Sequence, residues 1–166
     1  MEEYYRKDPA TSDTSFLLKV VQPGLAGLMD GSVSTLAPIF AAAFATNNSH
    51  TTFLIGLSAA IGAGISMAFA EALSDNGAMT GRGHPIMRGA IIGVMTLFGG
   101  IFHTLPFLIP SIHAALYLAF IVVGIELMAI AYIRHHFFNM SFWLSIVQVV
   151  FGGGLVVAAG LLIGTS

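Results

Sequence analysis

Leu28-Met29-Asp30-Gly31-Ser32 sets an ionisable side chain and a glycine inside a stretch that otherwise reads as lipid-soluble. An acid at the centre of a membrane helix costs roughly 2.5 to 3.5 kcal/mol or more, so such a residue faces protein or a water-filled path where it meets a partner. For Asp30 the expected partner is a metal ion.

The surrounding chain supports a membrane setting. Of its 166 residues 56% are hydrophobic and 8% charged, with a mean hydropathy of +0.87. Soluble domains carry about 25% charged residues, so the composition is that of an integral membrane protein. The absence of cysteine excludes disulfide frameworks, thiolate metal sites and thiol catalysis. Six Lys and Arg form no basic patch, and nucleic acid is not an expected partner.

Five apolar stretches each supply the roughly 20 residues needed to cross the hydrocarbon. They cover residues 22–45, 52–74, 87–109, 113–133 and 142–163. Before them, Glu2, Glu3, Arg6, Lys7, Asp8 and Asp13 make a polar start without the basic and apolar regions of a cleaved signal peptide. Residues 1–21 are read as a retained cytoplasmic tail, equally the cut end of a longer chain, and residues 22–166 as the five-helix transport domain. With five spans, Arg6, Lys7, Lys19, Arg82, Arg88 and Arg134 all fall on one side. The positive-inside rule then places the N-terminus in the cytoplasm and the C-terminus outside.

Small residues four apart allow helix backbones to approach closely, within a chain or between chains. Gly27/Gly31, Gly89/Gly93 and Gly160/Gly164 have that spacing. Pro23 and Pro38, with Gly31, predict a bend near Asp30. No internal repeat is evident, which gives no support to an inverted-repeat transporter.

Depth follows from the helical rise of about 1.5 Å per residue. Asp30 and Glu126 each lie roughly 12 Å inside the cytoplasmic end of their spans, and Met67 about 10 Å, so the three form one expected layer. Glu71 follows Met67 by four residues and shares its helix face one turn nearer the cytoplasm. Carboxylates suit divalent ions such as Mn²⁺ and Fe²⁺, and a thioether adds a soft ligand that favours Fe²⁺ over Mg²⁺ or Ca²⁺. Crowded carboxylates also repel one another, which lets a proton replace the metal. The bland readings stand beside these: Asp30 and Glu126 paired with Ser66 or His103, Glu71 solvated at the interface, and Met67 as packing. His84, His135 and His136 read as cytoplasmic surface residues, His50 and His113 as outer loop residues. His103 falls in the outer half of the third helix, as an exit-side ligand or proton carrier. No nucleophile, base and orienter can be assembled, so an enzyme is not expected.

Asp30-Gly31-Ser32-Val33-Ser34-Thr35, followed by Ala63-Gly64-Ile65-Ser66-Met67-Ala68-Phe69-Ala70-Glu71-Ala72-Leu73-Ser74, resembles the vacuolar iron transporter family. The likeness is closest to the membrane domain of bacterial membrane-bound ferritins, where a ferritin-like domain precedes the five helices. It implies a homodimer of five-helix protomers in the bacterial inner membrane. Such a dimer moves Fe²⁺, and also Mn²⁺, out of the cytoplasm in exchange for protons, along a path between protomers lined by the first two helices. Asp30 takes the position of the family's first-helix aspartate, Met67 that of its second-helix methionine and Glu71 that of the acid after it. Glu126 is added from depth alone, as a further ligand or the proton-coupling acid. The acid-rich insertion of plant members is missing, with only Asp75 and His84 as possible ligands between the second and third helices, and an upstream ferritin-like domain would replace it. The rival expectations are a non-transporting scaffold with internally paired acids, and a transporter of an organic solute.

Overall fold

The computed structural model describes residues 14–74 and 82–166. Within them five helices are long and apolar enough to cross a membrane. The first, Thr14–Thr46, is interrupted. A π-helical turn, Leu17–Val21, leads into α1, Gln22–Ser34, which gives way at Thr35 to α2, Leu36–Thr46. The others are α3, Ser49–Ala72, α4, Pro85–Phe102, α5, Ile112–Phe138, and α6, Phe142–Gly164, with a 3-10 turn at Leu105–Leu108. The described residues contain no strand.

The break sits one turn beyond Gly31, and Pro38 accounts for its place. A proline lacks the amide that would bond the carbonyl four residues back, and its ring collides with that carbonyl, here that of Ser34. Proline also corrects the third span, expected to run to residue 109. Pro106 has no amide to bond the Phe102 carbonyl four residues back, and its ring collides with that carbonyl, so α4 stops at Phe102 and His103 is its C-cap rather than a mid-helix residue. α5 instead runs past Arg134 to Phe138. Asn139 ends it in the left-handed region at φ 52°, and Asn47 ends α2 the same way at φ 48°. A β-branched residue tolerates that region poorly. Asn139→Val is therefore expected to lower the unfolding free energy by about 1–2 kcal/mol, measured by denaturant titration in detergent, whereas Asn139→Gly should leave it nearly unchanged.

Lipid gives no hydrophobic drive between helices, so close packing and hydrogen bonds must hold them. The three glycine pairs all serve contacts within the chain. A Cβ at Gly27 or Gly31 would strike the backbone carbonyls of Ile92 and Thr96, so α1 and α4 run parallel with their backbones touching. Gly89 and Gly93 bring α4 against Ala68, Ala72 and Gly64 of antiparallel α3, and Gly160 and Gly164 seat α6 on Ala37 and Ala41 of α2. α5 covers the other side, where Phe40 stacks on Phe120 with ring centroids 4.6 Å apart and Leu36, Phe40 and Val123 form a buried cluster. Large apolar side chains such as Ile65, Phe69, Tyr117, Trp143 and Leu162 remain exposed on the outside, as a bilayer requires.

Lys19 packs against Gly83, which puts the start of the first span and the α3–α4 connection at one end of the bundle. Arg82 and Arg88 lie at that end, and Arg134 joins them by the α5–α6 connection, where it bonds Gln148. The described basic residues are thus segregated as the sequence predicted. Arg6, Lys7 and Asp75 lie outside the described residues.

Candidate functional site

Asp30 lies on α1, half-buried, with no hydrogen bond or ion pair to any described residue. Gly27 and Gly31 turn one face of α1 to α4, and Asp30 projects from a different face. Two turns above it, Ala37 meets Gly160. Counting back seven residues on each of these parallel helices sets Asp30 level with Gly152-Gly153-Gly154. Cβ atoms at Gly152 and Gly154 would meet nothing within 4 Å, so α6 leaves room at the depth of the acid.

Met67 on α3 is half-buried, with Glu71 one turn along the same helix. Glu71 is tied down. Its Oε1 accepts from Arg88 Nε at 2.6 Å, lies 2.6 Å from Arg88 Nη2 and is 3.3 Å from Arg82 Nη2. Arg88 is only 1% exposed. A guanidinium buried in an apolar helix requires a carboxylate, since an unpaired charge there is costly. Arg88 was not singled out as a site residue from the sequence, although an arginine one turn after Pro85 in an apolar helix is itself a signal that an acid lies near. Glu71→Ala is expected to lower the unfolding free energy by about 2 kcal/mol, the scale of a hydrogen bond to a charged group, read as reduced thermal stability in detergent.

Glu126 takes the His103 alternative. Its Oε2 lies 2.9 Å from His103 Nδ1, and His103 Nε2 lies 2.7 Å from Thr35 Oγ1, which donates to the Gly31 carbonyl at 2.8 Å. The Ser32 hydroxyl lies beside the same carboxylate without closing a hydrogen bond. Glu126 therefore does share the level of the Asp30 segment. It stands on the other side of α1, because residues 30 and 32 are about 200° apart around a helix. Ser66 is exposed and bonds neither acid. A cavity of about 620 Å³ opens beside Glu126 between α1, α5 and the 3-10 turn, lined by apolar residues including Leu28, Phe102, Pro106 and Ile125.

The other five histidines, His50, His84, His113, His135 and His136, are exposed. Among the described residues no three acids or histidines converge closely enough to hold an ion within one protomer. The arrangement is that of an all-α, multi-pass membrane protein with an unpaired acid in its first span and two internally bonded acids elsewhere.

A model of the VIT family matches residues 73–165, more than half of the chain, and the chain belongs to that family. Membership places it among membrane transporters of metal ions. Comparison with curated proteins and with solved structures gives no match. The matched residues take in α4, α5 and α6, and so Arg88, His103 and Glu126, but not Asp30, Met67 or Glu71.

Proposed function

We propose that this chain exports Fe²⁺, and also Mn²⁺, from the cytoplasm in exchange for protons, as a homodimer with its arginine-bearing end inside. Asp30 is the central ligand, Met67 supplies a soft donor, and Glu71 receives the ion at the cytoplasmic approach, where it must displace Arg82 and Arg88. Delivery to that end falls to a ferritin-like domain, as the resemblance implies.

The observation that carries this reading is the lone Asp30. A scaffold would pair its acids internally, and Glu71 and Glu126 are so paired. Asp30 has no such partner among the described residues. In a member of a metal-transporter family, an unpaired carboxylate at membrane depth is best explained as a ligand for the cargo. Among the described residues one protomer gathers no group of three acids or histidines that could complete a site, which favours a path shared by two copies.

The dimer surface is proposed on α3. Ser58, Gly62 and Ser66 form an exposed stripe of small residues at helical spacing, and a Cβ at Gly62 would meet nothing within its own protomer. Gly62→Leu should therefore leave the protomer folded and convert dimer to monomer, seen as a loss of crosslinked dimer in liposomes. An unchanged dimer would move the interface elsewhere.

The function itself is tested by Fe²⁺ flux into proteoliposomes with and without an imposed proton gradient. Flux that rises with the gradient supports proton-coupled export. Folded protein that carries no Fe²⁺ under either condition overturns it.

A further inference from the structure

We infer that Glu126 and His103 are positioning residues, which hold one proton between them and pin the break in the first span through Thr35, instead of taking metal. What that positioning serves rests on the transport reading above. The pinning itself rests on geometry.

Thr35, His103 and Glu126 come from three places in the chain: the α1–α2 junction, the C-cap of α4 and the middle of α5. They are 1%, 1% and 7% exposed. Counting donors fixes the direction of the chain they form. A hydroxyl has one hydrogen, and Thr35 gives it to the Gly31 carbonyl, which can only accept. Thr35 Oγ1 must then accept from His103 Nε2–H. The Nδ1···Oε2 contact of 2.9 Å also needs a hydrogen. Either an imidazolium faces a carboxylate or a neutral imidazole faces a protonated acid, and in both cases the pair holds one shared proton and no net charge. That explains how an acid is tolerated at membrane depth without a metal.

The bond to Gly31 gives the chain its mechanical effect. In an unbroken helix that carbonyl would accept from the amide of residue 35. The Thr35 hydroxyl reaches it at the junction, and His103 fixes the hydroxyl. Gly31 adjoins Asp30, so the clamp sets where the acid stands relative to α2. The Glu126 carboxylate addresses the same segment, lying beside the Ser32 hydroxyl, and neither Glu126 Oε1 nor Ser32 Oγ has a hydrogen-bond partner among the described residues.

The test uses the absence of native cysteine. Spin labels at Ala26→Cys and Ala45→Cys, both at exposed positions flanking the break, report its geometry by electron-electron resonance in protein diluted with unlabelled chain. Glu126→Gln retains the pinning, because its amide N–H donates to Nδ1 of a histidine that keeps Nε2–H for Thr35. It should keep the wild-type distance distribution and roughly half or more of the Fe²⁺ flux. Glu126→Leu and His103→Leu should broaden the distribution and lower flux about tenfold or more, as misplacement of a reacting group does. A Glu126→Gln protein that keeps the narrow distribution but loses flux like Glu126→Leu overturns the inference, since Glu126 would then act as an acid or ligand. A narrow distribution in every variant overturns the pinning. Should the Leu variants fail to fold, Glu126→Gln alone still decides between positioning and direct action. Should the wild type carry no Fe²⁺, the transport reading fails while the distance measurement still decides the pinning.

Discussion

Asp30→Asn is expected to abolish most Fe²⁺ flux while leaving the fold intact. The substitution is nearly isosteric and removes no internal bond, because Asp30 bonds no described residue. What it removes is the negative charge offered to the cargo. Charge-assisted interactions contribute about 1.5–3 kcal/mol each, so the loss should be about tenfold or greater, at 1.4 kcal/mol per factor of ten. The variant should elute and melt as the wild type does, and flux in proteoliposomes is the measurement. Equal flux would remove Asp30 from the path and with it the observation on which the function was proposed.

The second large effect concerns stability. Gly31→Ala should cost more than about 3 kcal/mol, above the usual range for overpacking, because the added Cβ would strike the Thr96 carbonyl and nothing flexible can yield. The sign is informative, since alanine is the better helix former by about 1 kcal/mol. Gly124→Ala makes the same change on α5, where a Cβ meets nothing within 4 Å, and it should gain up to that amount. Thermal unfolding in detergent compares the two. Matching shifts would show that α1 and α4 are not in backbone contact.

Much of this arrangement was legible in the sequence because it depends on local composition. Apolar length gave the five spans, and the basic residues gave their segregation. Four-residue glycine spacing gave the tight packing, though not that all three pairs would be satisfied within one protomer. What escaped was set by contacts between distant residues or by proline at a distance. Pro23, Pro38 and Gly31 predicted a bend or loosening near Asp30, and the clash of Pro38 with the Ser34 carbonyl sets the break at Thr35. His103 was expected within a helix, and Pro106 left it at the end of one, where its ring can bridge Thr35 and Glu126. Those partners lie 68 and 23 residues away, and no periodicity reports such a meeting. Glu71 was expected as a ligand at the cytoplasmic approach, or else as a solvated acid, and its pairing with Arg88 went unread because the burial of Arg88 beside it is a property of helix packing. Depth counting did place Glu126 level with the Asp30 segment. It could not say which side of α1 the acid would occupy, because rise along a helix carries no azimuth.

The seating of Gly160 and Gly164 on Ala37 and Ala41 has a consequence for biogenesis. Of the described helices α6 is made after the other five, and it docks on the first span. α3 and α4 carry matching glycine and alanine faces and can enter the bilayer as a ready hairpin. α2 must wait with its alanine face uncovered until α6 is made. During that interval any insertase or quality-control protease that senses open small-residue faces would find its target on α2, and the arrival of α6 would be the event that conceals it.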